Sequence, residues 1–137
     1  MIKRIVITGG KHYNNYQEAE RYINSCIKDI EKDNTIVIAS CGCTGAETLA
    51  ELYAKRKGYQ YEKYPSMWEQ FGTAGGAVRN KQMLNSCDLI ICLWDGLIGE
   101  TCSIMDYAEI IGKPVNTLRV YNKKQRRAAI IKIKTDD

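Results

Sequence analysis

The chain has 137 residues, of which 45% are hydrophobic and 26% are charged, as in an ordinary globular protein of one domain. Its formal net charge of +4 comes from the C-terminal end, since seven basic and two acidic residues from Arg119 onward give +5 and residues 1–118 give −1. A nearly neutral body excludes an extended basic face, so we expect no nucleic-acid partner. We predict one domain over residues 1–121 and a basic C-terminal extension over residues 122–137.

Strand-like and helix-like segments alternate from the start of the chain. Ile2 to Thr8 is apolar and β-branched, and it predicts a first strand that ends at a Gly-Gly pair. Apolar residues at three-and-four spacing from Ala19 to Ile30 predict the first helix, with Asn15 as its N-cap. Thr35 to Ala39 predicts a second buried strand.

The middle of the chain is less regular. The second helix begins at about Gly45 and ends, after three basic residues, at Gly58, because glycine readily takes the left-handed conformation that stops helices. Tyr59 to Tyr64 predicts a third strand, which is polar enough for a sheet edge. We expect the chain to run irregularly over residues 65–76 and to form a third helix from Ala77 to Ser86.

The last elements complete an α/β pattern. Leu89 to Trp94 is the most apolar strand, apolar residues from Thr101 to Ile111 predict the fourth helix, and Val115 to Val120 gives the last strand. Continuously apolar strands are typical of a parallel sheet that helices cover on both faces. We therefore predict a Rossmann-like three-layer α/β/α fold with a mostly parallel five-stranded sheet.

Three of the predicted strands end in glycine turns. These are Gly9-Gly10, the turn from Cys41 to Gly45, and Asp95-Gly96. Ligands of open parallel sheets bind beyond the carboxyl ends of the strands, and a glycine turn with a helix N-terminus behind it favours phosphate. One such turn is not specific, because strand-to-helix turns commonly need glycine, but three at one sheet edge predict a shared anion site. The P-loop and GxGxxG motifs are absent, which disfavours a standard ATPase or NAD enzyme.

In the stretch FGTAGGAVRNKQM, residues 71–83, a flexible segment rich in glycine and alanine precedes two polar residues, Arg79 and Asn80. Arg79 can bind a phosphate through two parallel hydrogen bonds, and Asn80 can bind a ribose or a base edge. The alternative is a surface arginine and a helix-capping asparagine. Trp68 and Phe71 precede them, and these rings either stack on a base or fill the core from a loop.

The six cysteines indicate neither disulfides nor a metal site. Four of them lie in apolar or helix-patterned segments, where a thiol behaves as a small hydrophobic group. Cys41 and Cys43 form the one close pair but lack the spacing of zinc and redox motifs, and His12 is the one histidine. We expect no metal and no cofactor. Redox switching of Cys41 and Cys43 is an alternative, because a helix N-terminus lowers the pKa of a thiol.

Neither a transmembrane segment nor a signal peptide is apparent in the sequence. No apolar run approaches the length of about 20 residues that a membrane-spanning helix needs. The first residues lead directly into a strand-like segment without a signal-peptide pattern. We therefore expect a cytoplasmic protein with no membrane partner.

Four segments carry a resemblance to one family. They are VITGGKHY (Val6–Tyr13), CGCTGAETLA (Cys41–Ala50), MWEQFGTAGGAVRNKQM (Met67–Met83), and DLIICLWDG (Asp88–Gly96) with the following ETCSIMDYAEIIGKPV (Glu100–Val115). From about residue 2 to about residue 115, the chain resembles the YspA-like branch of the SLOG superfamily. This Rossmann-like group includes the DNA-processing protein DprA and the LOG phosphoribohydrolases.

The resemblance implies that the domain binds a nucleotide or nucleotide-derived phosphorylated small molecule at the carboxyl edge of the sheet, as a sensor or binding domain. Carried over by position, it nominates Gly9, Gly10, Tyr13, Gly42, Gly45, Glu47, Trp68, Gly75, Arg79, Asn80, Asp95, Gly96 and Thr101 as ligand-binding residues. The turn pattern adds the hydroxyl of Thr44, which either binds phosphate or caps its helix. Related proteins tend to self-associate, so we expect a homo-oligomer.

An enzyme that cleaves N-glycosidic bonds, like a nucleotide phosphoribohydrolase or a deoxyribosyltransferase, is the alternative function. LOG-type enzymes have a GGxGTxxE pattern whose glutamate assists the cleavage, but here Ile104 stands three residues after Thr101. Glu100 and Asp95 are the candidate catalytic carboxylates, with Asp106 nearby. A further alternative is an interaction protein with a vestigial pocket, whose apolar segment over residues 128–133 adds a strand or helix to a neighbour.

Overall fold

Strands and helices alternate along the chain in the computed structural model, which describes residues 1–42, 44–121 and 123–136. The strands are β1 (Ile2–Gly9), β2 (Thr35–Ser40), β3 (Gln60–Lys63), β4 (Leu89–Trp94) and β5 (Val115–Arg119). The helices are α1 (Tyr16–Ile27), α2 (Ala46–Lys57), α3 (Trp68–Phe71), α4 (Gly75–Asn85), α5 (Glu100–Ile110) and α6 (Lys123–Asp136), and a short 3-10 helix (Gly72–Ala74) joins α3 to α4. The five predicted strands are confirmed.

The five strands form one sheet in the order β3-β2-β1-β4-β5, and every pair of neighbours is parallel. β1 is central, with Ile5 opposite Ile38 of β2 and Leu89 of β4. The chain runs outward from β1 to β3 and then crosses back to β4 on the other side of β1. The direction of winding therefore reverses between β1 and β4, which is where ligands bind in sheets of this type.

Side chains along β1, β2 and β4 alternate between two hydrophobic cores. In β1, Ile5 and Ile7 belong to a core shared with residues of α1 and α2, whereas Val6 belongs to a second core shared with residues of α4 and α5. These three side chains are fully buried. Helices on both faces explain why the strand sequences are continuously apolar, and the predicted Rossmann-like three-layer fold is confirmed.

The predicted N-cap of α1 at Asn15 and the predicted end of α2 at Gly58 are both confirmed. The Asn15 side chain accepts a hydrogen bond of 3.2 Å from the Glu18 backbone N–H and so caps α1. Gly58 ends α2 in the left-handed conformation with φ +72°, and its N–H donates to the Lys55 carbonyl at 3.3 Å.

The prediction of an irregular chain over residues 65–76 is wrong. α3 and the 3-10 helix occupy much of this stretch, and α4 begins at Gly75 rather than at Ala77. Low intrinsic helix propensity made glycine an argument against a helix. Tertiary packing overrides this low propensity at Gly75. A Cβ there would lie 2.6 Å from the Met67 carbonyl carbon, so the position has no room for a side chain. The missing side chain lets the start of α4 pack directly against the start of α3.

Residues of the basic C-terminal extension form helix α6. Its Gln125 side-chain amide donates to the Asp95 carbonyl at 3.1 Å, and Arg126 lies 3.6 Å from the Glu18 carboxylate. α6 therefore contacts the loop after β4 and the first turn of α1. None of the helices in the described residues combines the length and the apolar character needed to cross a membrane.

Candidate functional site

A cavity opens at the carboxyl edge of the sheet, where β1 and β4 diverge. It has a volume of about 160 Å³. Its lining consists of the end of β1 and the loop after it, one residue of α2, and the segment from the end of β4 into α5: Thr8, Gly9, Gly10, Lys11, Glu47, Asp95, Leu97, Ile98, Gly99, Glu100 and Thr101. The cavity thus lies at the reversal point of the fold.

Close packing of two loops requires glycine at position 10. A Cβ on Gly10 would lie 2.7 Å from the Asp95 carboxylate oxygen Oδ2, which is closer than real Cβ contacts allow. The Gly10 N–H donates to the Leu93 carbonyl at 3.0 Å, so the loop after β1 is tied to the end of β4. This glycine lets the Asp95 carboxylate lie directly against backbone at the cavity.

Glu47 places a buried carboxylate in the cavity wall. The residue is 5% exposed and accepts a hydrogen bond of 3.2 Å from the Thr8 hydroxyl. It lies in the first turn of α2, where the helix dipole favours negative charge. The α2 terminus is held in place because the Ala46 N–H donates to the Gly10 carbonyl at 3.1 Å.

Asp95 begins the loop between β4 and α5. Its Oδ1 accepts a hydrogen bond of 3.0 Å from the Leu97 N–H, which is an Asx-turn, and its Oδ2 lies beside Gly10. Gly96 follows with φ +84°, and a Cβ there would lie 2.7 Å from the Arg119 Nε atom. The backbone of this loop is therefore packed tightly on the end of β5.

Arg79 reaches the cavity through a second residue. Its side chain is only 7% exposed and forms an ion pair with Glu100, which lines the cavity and is 49% exposed. The Arg79 Nε also donates to the Asn80 side-chain oxygen at 2.9 Å, and the Asn80 amide donates to Glu100 at 3.4 Å. Arg79 itself lines a neighbouring hollow with residues of the β3–α3 connection. Arg79 and Asn80 thus hold the Glu100 carboxylate in position.

The predicted site residues fall into two groups. The cavity brings together Gly9, Gly10, Glu47, Asp95, Glu100 and Thr101. It does not include Tyr13, Gly42, Thr44, Gly45, Trp68, Gly75, Arg79, Asn80 or Gly96 among its lining residues. Tyr13 and Gly45 line a second hollow beside the first, which shares Lys11 with it.

Several of the residues outside the cavity have other contacts. The Tyr13 hydroxyl donates to the Glu18 carboxylate at 2.8 Å, and burial raises the pKa of Tyr13 well above its ordinary value. A Cβ on Gly42 would collide with the Lys63 side chain, Thr44 is exposed, and Trp68 is 62% exposed on α3.

Sequence reasoning missed five residues of the cavity wall: Thr8, Lys11, Leu97, Ile98 and Gly99. Thr8 could have been predicted as a site residue, because it places a hydroxyl group at the end of an apolar strand, next to the glycine turn. Leu97 and Ile98 gave none, because aliphatic residues in a short loop have no preferred direction in the sequence.

The cysteines and the acidic residues show no metal site within the described part of the chain. Cys41 is buried, and its thiol donates to the Asn80 side-chain oxygen at 3.8 Å. Cys43, the other half of the predicted redox pair, lies outside the described residues.

The cavity combines three carboxylates with one lysine and the N-terminus of α5. Carboxylates accept hydrogen bonds from hydroxyl groups, whereas the lysine and the free N–H groups of a helix N-terminus bind anions. The arrangement suits a ligand that carries hydroxyl groups at one end and an anion at the other.

Comparisons with known proteins agree with this description. The model of the YspA, cpYpsA-related SLOG family matches residues 3–71, which is half of the chain, and the chain belongs to this family. The match includes the loop after β1 and the start of α2 and ends before Arg79. No curated protein matches the chain at a significant level. The crystal structure of TM1055, a structural genomics target, is similar with a TM-score of 0.59 and 19% identity, covering 84% of this chain and 72% of that one. This likeness concerns the fold alone.

Proposed function

We propose that the protein binds a nucleotide or nucleotide-derived phosphorylated small molecule in the cavity between β1 and β4, as a binding or sensing domain. The observation that carries the proposal is the pairing of a helix N-terminus with hydrogen-bond-accepting carboxylates in one cavity at the reversal point of the sheet. Membership of the SLOG family supports a nucleotide-related ligand.

The phosphate would bind at the N-terminus of α5. Gly99 occupies the N-cap, and the first hydrogen bond inside the helix runs from the Ser103 N–H to the Gly99 carbonyl at 3.1 Å. The N–H groups between these residues have no partner in the helix and point toward its N-terminal end. Lys11, from the loop after β1, adds a positive charge to the cavity lining. Arg79 neutralises Glu100 and so lowers the repulsion that this carboxylate would exert on a phosphate.

The sugar would bind between Glu47 and Asp95. Glu47 accepts a hydrogen bond from the Thr8 hydroxyl, and Asp95 accepts one from the Leu97 N–H. A carboxylate can accept about four hydrogen bonds, so the Asp95 carboxylate can accept further hydrogen bonds from ligand hydroxyl groups. A ribose presents such groups on neighbouring carbons.

Isothermal titration calorimetry with AMP, adenosine, ribose 5-phosphate and ADP-ribose tests the proposal. We expect the phosphorylated compounds to bind more tightly than adenosine. The Lys11→Ala variant should weaken AMP binding about five- to tenfold, as expected for one charge-assisted contact, and should leave adenosine binding unchanged. Lys57→Ala is the matched control, because Lys57 lies at the far end of α2, away from the cavity. Absence of binding with all four compounds would refute the proposal.

Cleavage of an N-glycosidic bond is a second candidate function, which the carboxylates in the cavity favour. The C1′–N bond would break with its electron pair leaving on the base, a water oxygen would add to C1′, and a proton from that water would end on the base. Glu100 or Asp95 would stabilise the positive charge at C1′ or accept the proton of the water on its way. Ile104 is buried in the second core, so the position of the LOG-type glutamate contributes no proton-transfer group.

Release of free base from AMP, followed by chromatography, tests this second function. We expect Glu100→Gln and Asp95→Asn to lower the rate at least about a hundredfold if these carboxylates act as acid, base or charge stabiliser. Glu109→Gln, an exposed carboxylate on the same helix, is the control. Equal rates in wild type, Glu100→Gln and Asp95→Asn would exclude the enzymatic role of both residues.

A further inference from the structure

Helix α6 contacts the backbone of one cavity residue from outside the cavity. No described residue of α6 belongs to the cavity lining. The half-buried Gln125 nevertheless donates a side-chain hydrogen bond of 3.1 Å to the Asp95 carbonyl, across 30 residues of sequence. The family model ends at residue 71, so α6 lies outside the matched part of the chain. This contact joins the C-terminal extension to the cavity through Asp95.

The direction of the Asp95 side chain depends on the backbone of the loop after β4. The Asp95 Oδ1 atom accepts a hydrogen bond of 3.0 Å from the Leu97 N–H, and Oδ2 lies beside Gly10. Because an Asx-turn joins the carboxylate to the backbone two residues later, the carboxylate moves when this backbone moves. The hydrogen bond from Gln125 holds the same backbone at the Asp95 carbonyl.

Other contacts hold α6 within reach of this loop. The Arg126 guanidinium lies 3.6 Å from the Glu18 carboxylate in the first turn of α1. Before the helix, the Val120 N–H donates to the Trp94 carbonyl at 2.8 Å and so attaches the chain to the end of β4. Neither contact involves a residue of the cavity lining. The position of Gln125 is therefore set from outside the cavity.

We infer that Gln125 is a positioning residue for Asp95, so that the docking of α6 sets the affinity of the cavity for hydroxyl groups. This inference rests on the proposed function, in which Asp95 accepts hydrogen bonds from the sugar, and it adds a means of regulation. Hydrogen bonds weaken steeply as their geometry departs from linearity, so a displaced Asp95 binds hydroxyl groups less tightly. The N–H groups proposed for the phosphate belong to α5, and their position does not depend on the Gln125 contact.

Two measurements on the Gln125→Met variant test the inference. Methionine has a similar length and no charge, but it has no N–H donor. Hydrogen exchange of the Leu97 amide, followed by NMR, should be about fivefold faster than in wild type, the factor expected when one hydrogen bond that holds the loop is lost. Calorimetry should show ribose 5-phosphate binding about fivefold more weakly and inorganic phosphate binding unchanged. Gln125→Lys, which restores a donor on a long side chain, should recover the slow exchange of Leu97.

Two further variants distinguish positioning from a general loss of stability. Gln70→Met is the matched control, because Gln70 is exposed on α3 and lines a separate hollow of residues 65–70. In an Asp95→Ala background, Gln125→Met should weaken ribose 5-phosphate binding no further, because Gln125 acts through Asp95. Thermal unfolding of each variant confirms that it is folded, and Gln125→Ala replaces the methionine variant if that variant is not.

The outcomes separate the inference from the proposed function. If Gln125→Met binds ribose 5-phosphate as tightly as wild type, the inference is wrong and the proposed function stands. If the affinity falls without faster exchange of Leu97, or falls equally in the Asp95→Ala background, Gln125 does not act by positioning Asp95 and the inference is overturned. If wild type binds neither ribose 5-phosphate nor AMP, the proposed function is wrong and the inference is wrong with it.

Discussion

Removing either partner of the Arg79–Glu100 pair should destabilise the protein by unequal amounts. Arg79 is 7% exposed on its side chain and Glu100 is 49% exposed. In Glu100→Ala the buried guanidinium loses its charged partner, whereas in Arg79→Met the remaining carboxylate can be hydrated and lies at the N-terminus of α5, which favours negative charge. Methionine also keeps much of the apolar packing of the arginine stem.

The magnitudes follow from the exposure of the two groups. Breaking a fully buried ion pair costs roughly 3–5 kcal/mol, and an exposed pair contributes about 0–1 kcal/mol. Glu100 is half exposed, so solvent screens the pair, and we expect Glu100→Ala to lower the free energy of unfolding by about 2 kcal/mol. Arg79→Met should lower it by about 1 kcal/mol, mostly through the lost hydrogen bond to Asn80.

Equilibrium unfolding in urea measures both values. With a slope of about 1–3 kcal/mol per molar urea, a loss of 2 kcal/mol moves the midpoint by roughly 1 M. The double variant should be no less stable than Glu100→Ala, because it no longer contains an unpaired buried charge. Glu109→Ala, exposed on the same helix, should change the stability by less than about 0.5 kcal/mol. Equal costs for the two single variants, or a double variant whose cost is their sum, would refute the reasoning.

Three further predictions concern packing, a buried hydroxyl and pH. Gly75→Ala should lower the free energy of unfolding by about 2 kcal/mol, because its Cβ would meet the backbone at the start of α3. The adjacent Gly76→Ala should be neutral or stabilising in the same urea assay, because its Cβ would lie at an ordinary contact distance of 3.5 Å from the Arg79 side chain. Tyr53→Phe should cost about 1 kcal/mol, because it removes a 2.6 Å hydrogen bond to Asn24; an unchanged midpoint would contradict this. Burial raises the pKa of Cys87 to about 11, so its thiol stabilises the fold below pH 9 and that contribution is lost as the pH rises toward 11. Between pH 8 and 11, Cys87→Ala should lose roughly 2 kcal/mol less stability than wild type, and parallel pH profiles would contradict this.

The strands, the shared edge of the sheet and two helix ends were predictable, because each depends on neighbouring residues in the sequence or on the geometry of a parallel sheet. A strand buried on both faces must be continuously apolar, and β4, predicted as the most apolar strand, is buried from Leu89 to Leu93. In a parallel sheet all strands end at one edge, so Gly10 and Asp95 could be expected near each other although 84 residues lie between them. Helix ends at Asn15 and Gly58 follow rules that involve only neighbouring residues.

The partner of Arg79 could not be predicted, because Glu100 is distant in the sequence, although the burial of Arg79 could have been. An arginine after a flexible stretch is typical of a phosphate-binding surface, and the sequence offered no reason to choose Glu100, 21 residues later, as its partner. One signal was available. Arg79 lies four residues after Gly75 and four before Met83, and all three are on the buried face of α4. Helical periodicity therefore placed Arg79 toward the core, and a buried guanidinium needs a carboxylate nearby.

The charges around the cavity favour a different part of the proposed ligand in each region. The cavity lining contains three carboxylates and one lysine, an excess of negative charge that disfavours a free phosphate in most of the cavity. Arg79 cancels the charge of Glu100 at the α5 terminus, and the other two carboxylates lie on the α2 side and beside Gly10. The region next to α5 is thus the part of the cavity where an anion meets the least repulsion, and the side of the cavity with Glu47 and Asp95 suits hydroxyl donors instead. A compound with a phosphate alone satisfies only one of these regions, and a compound with sugar hydroxyls alone satisfies only the other. The proposed binding of a phosphorylated nucleoside follows because it carries both groups on one molecule.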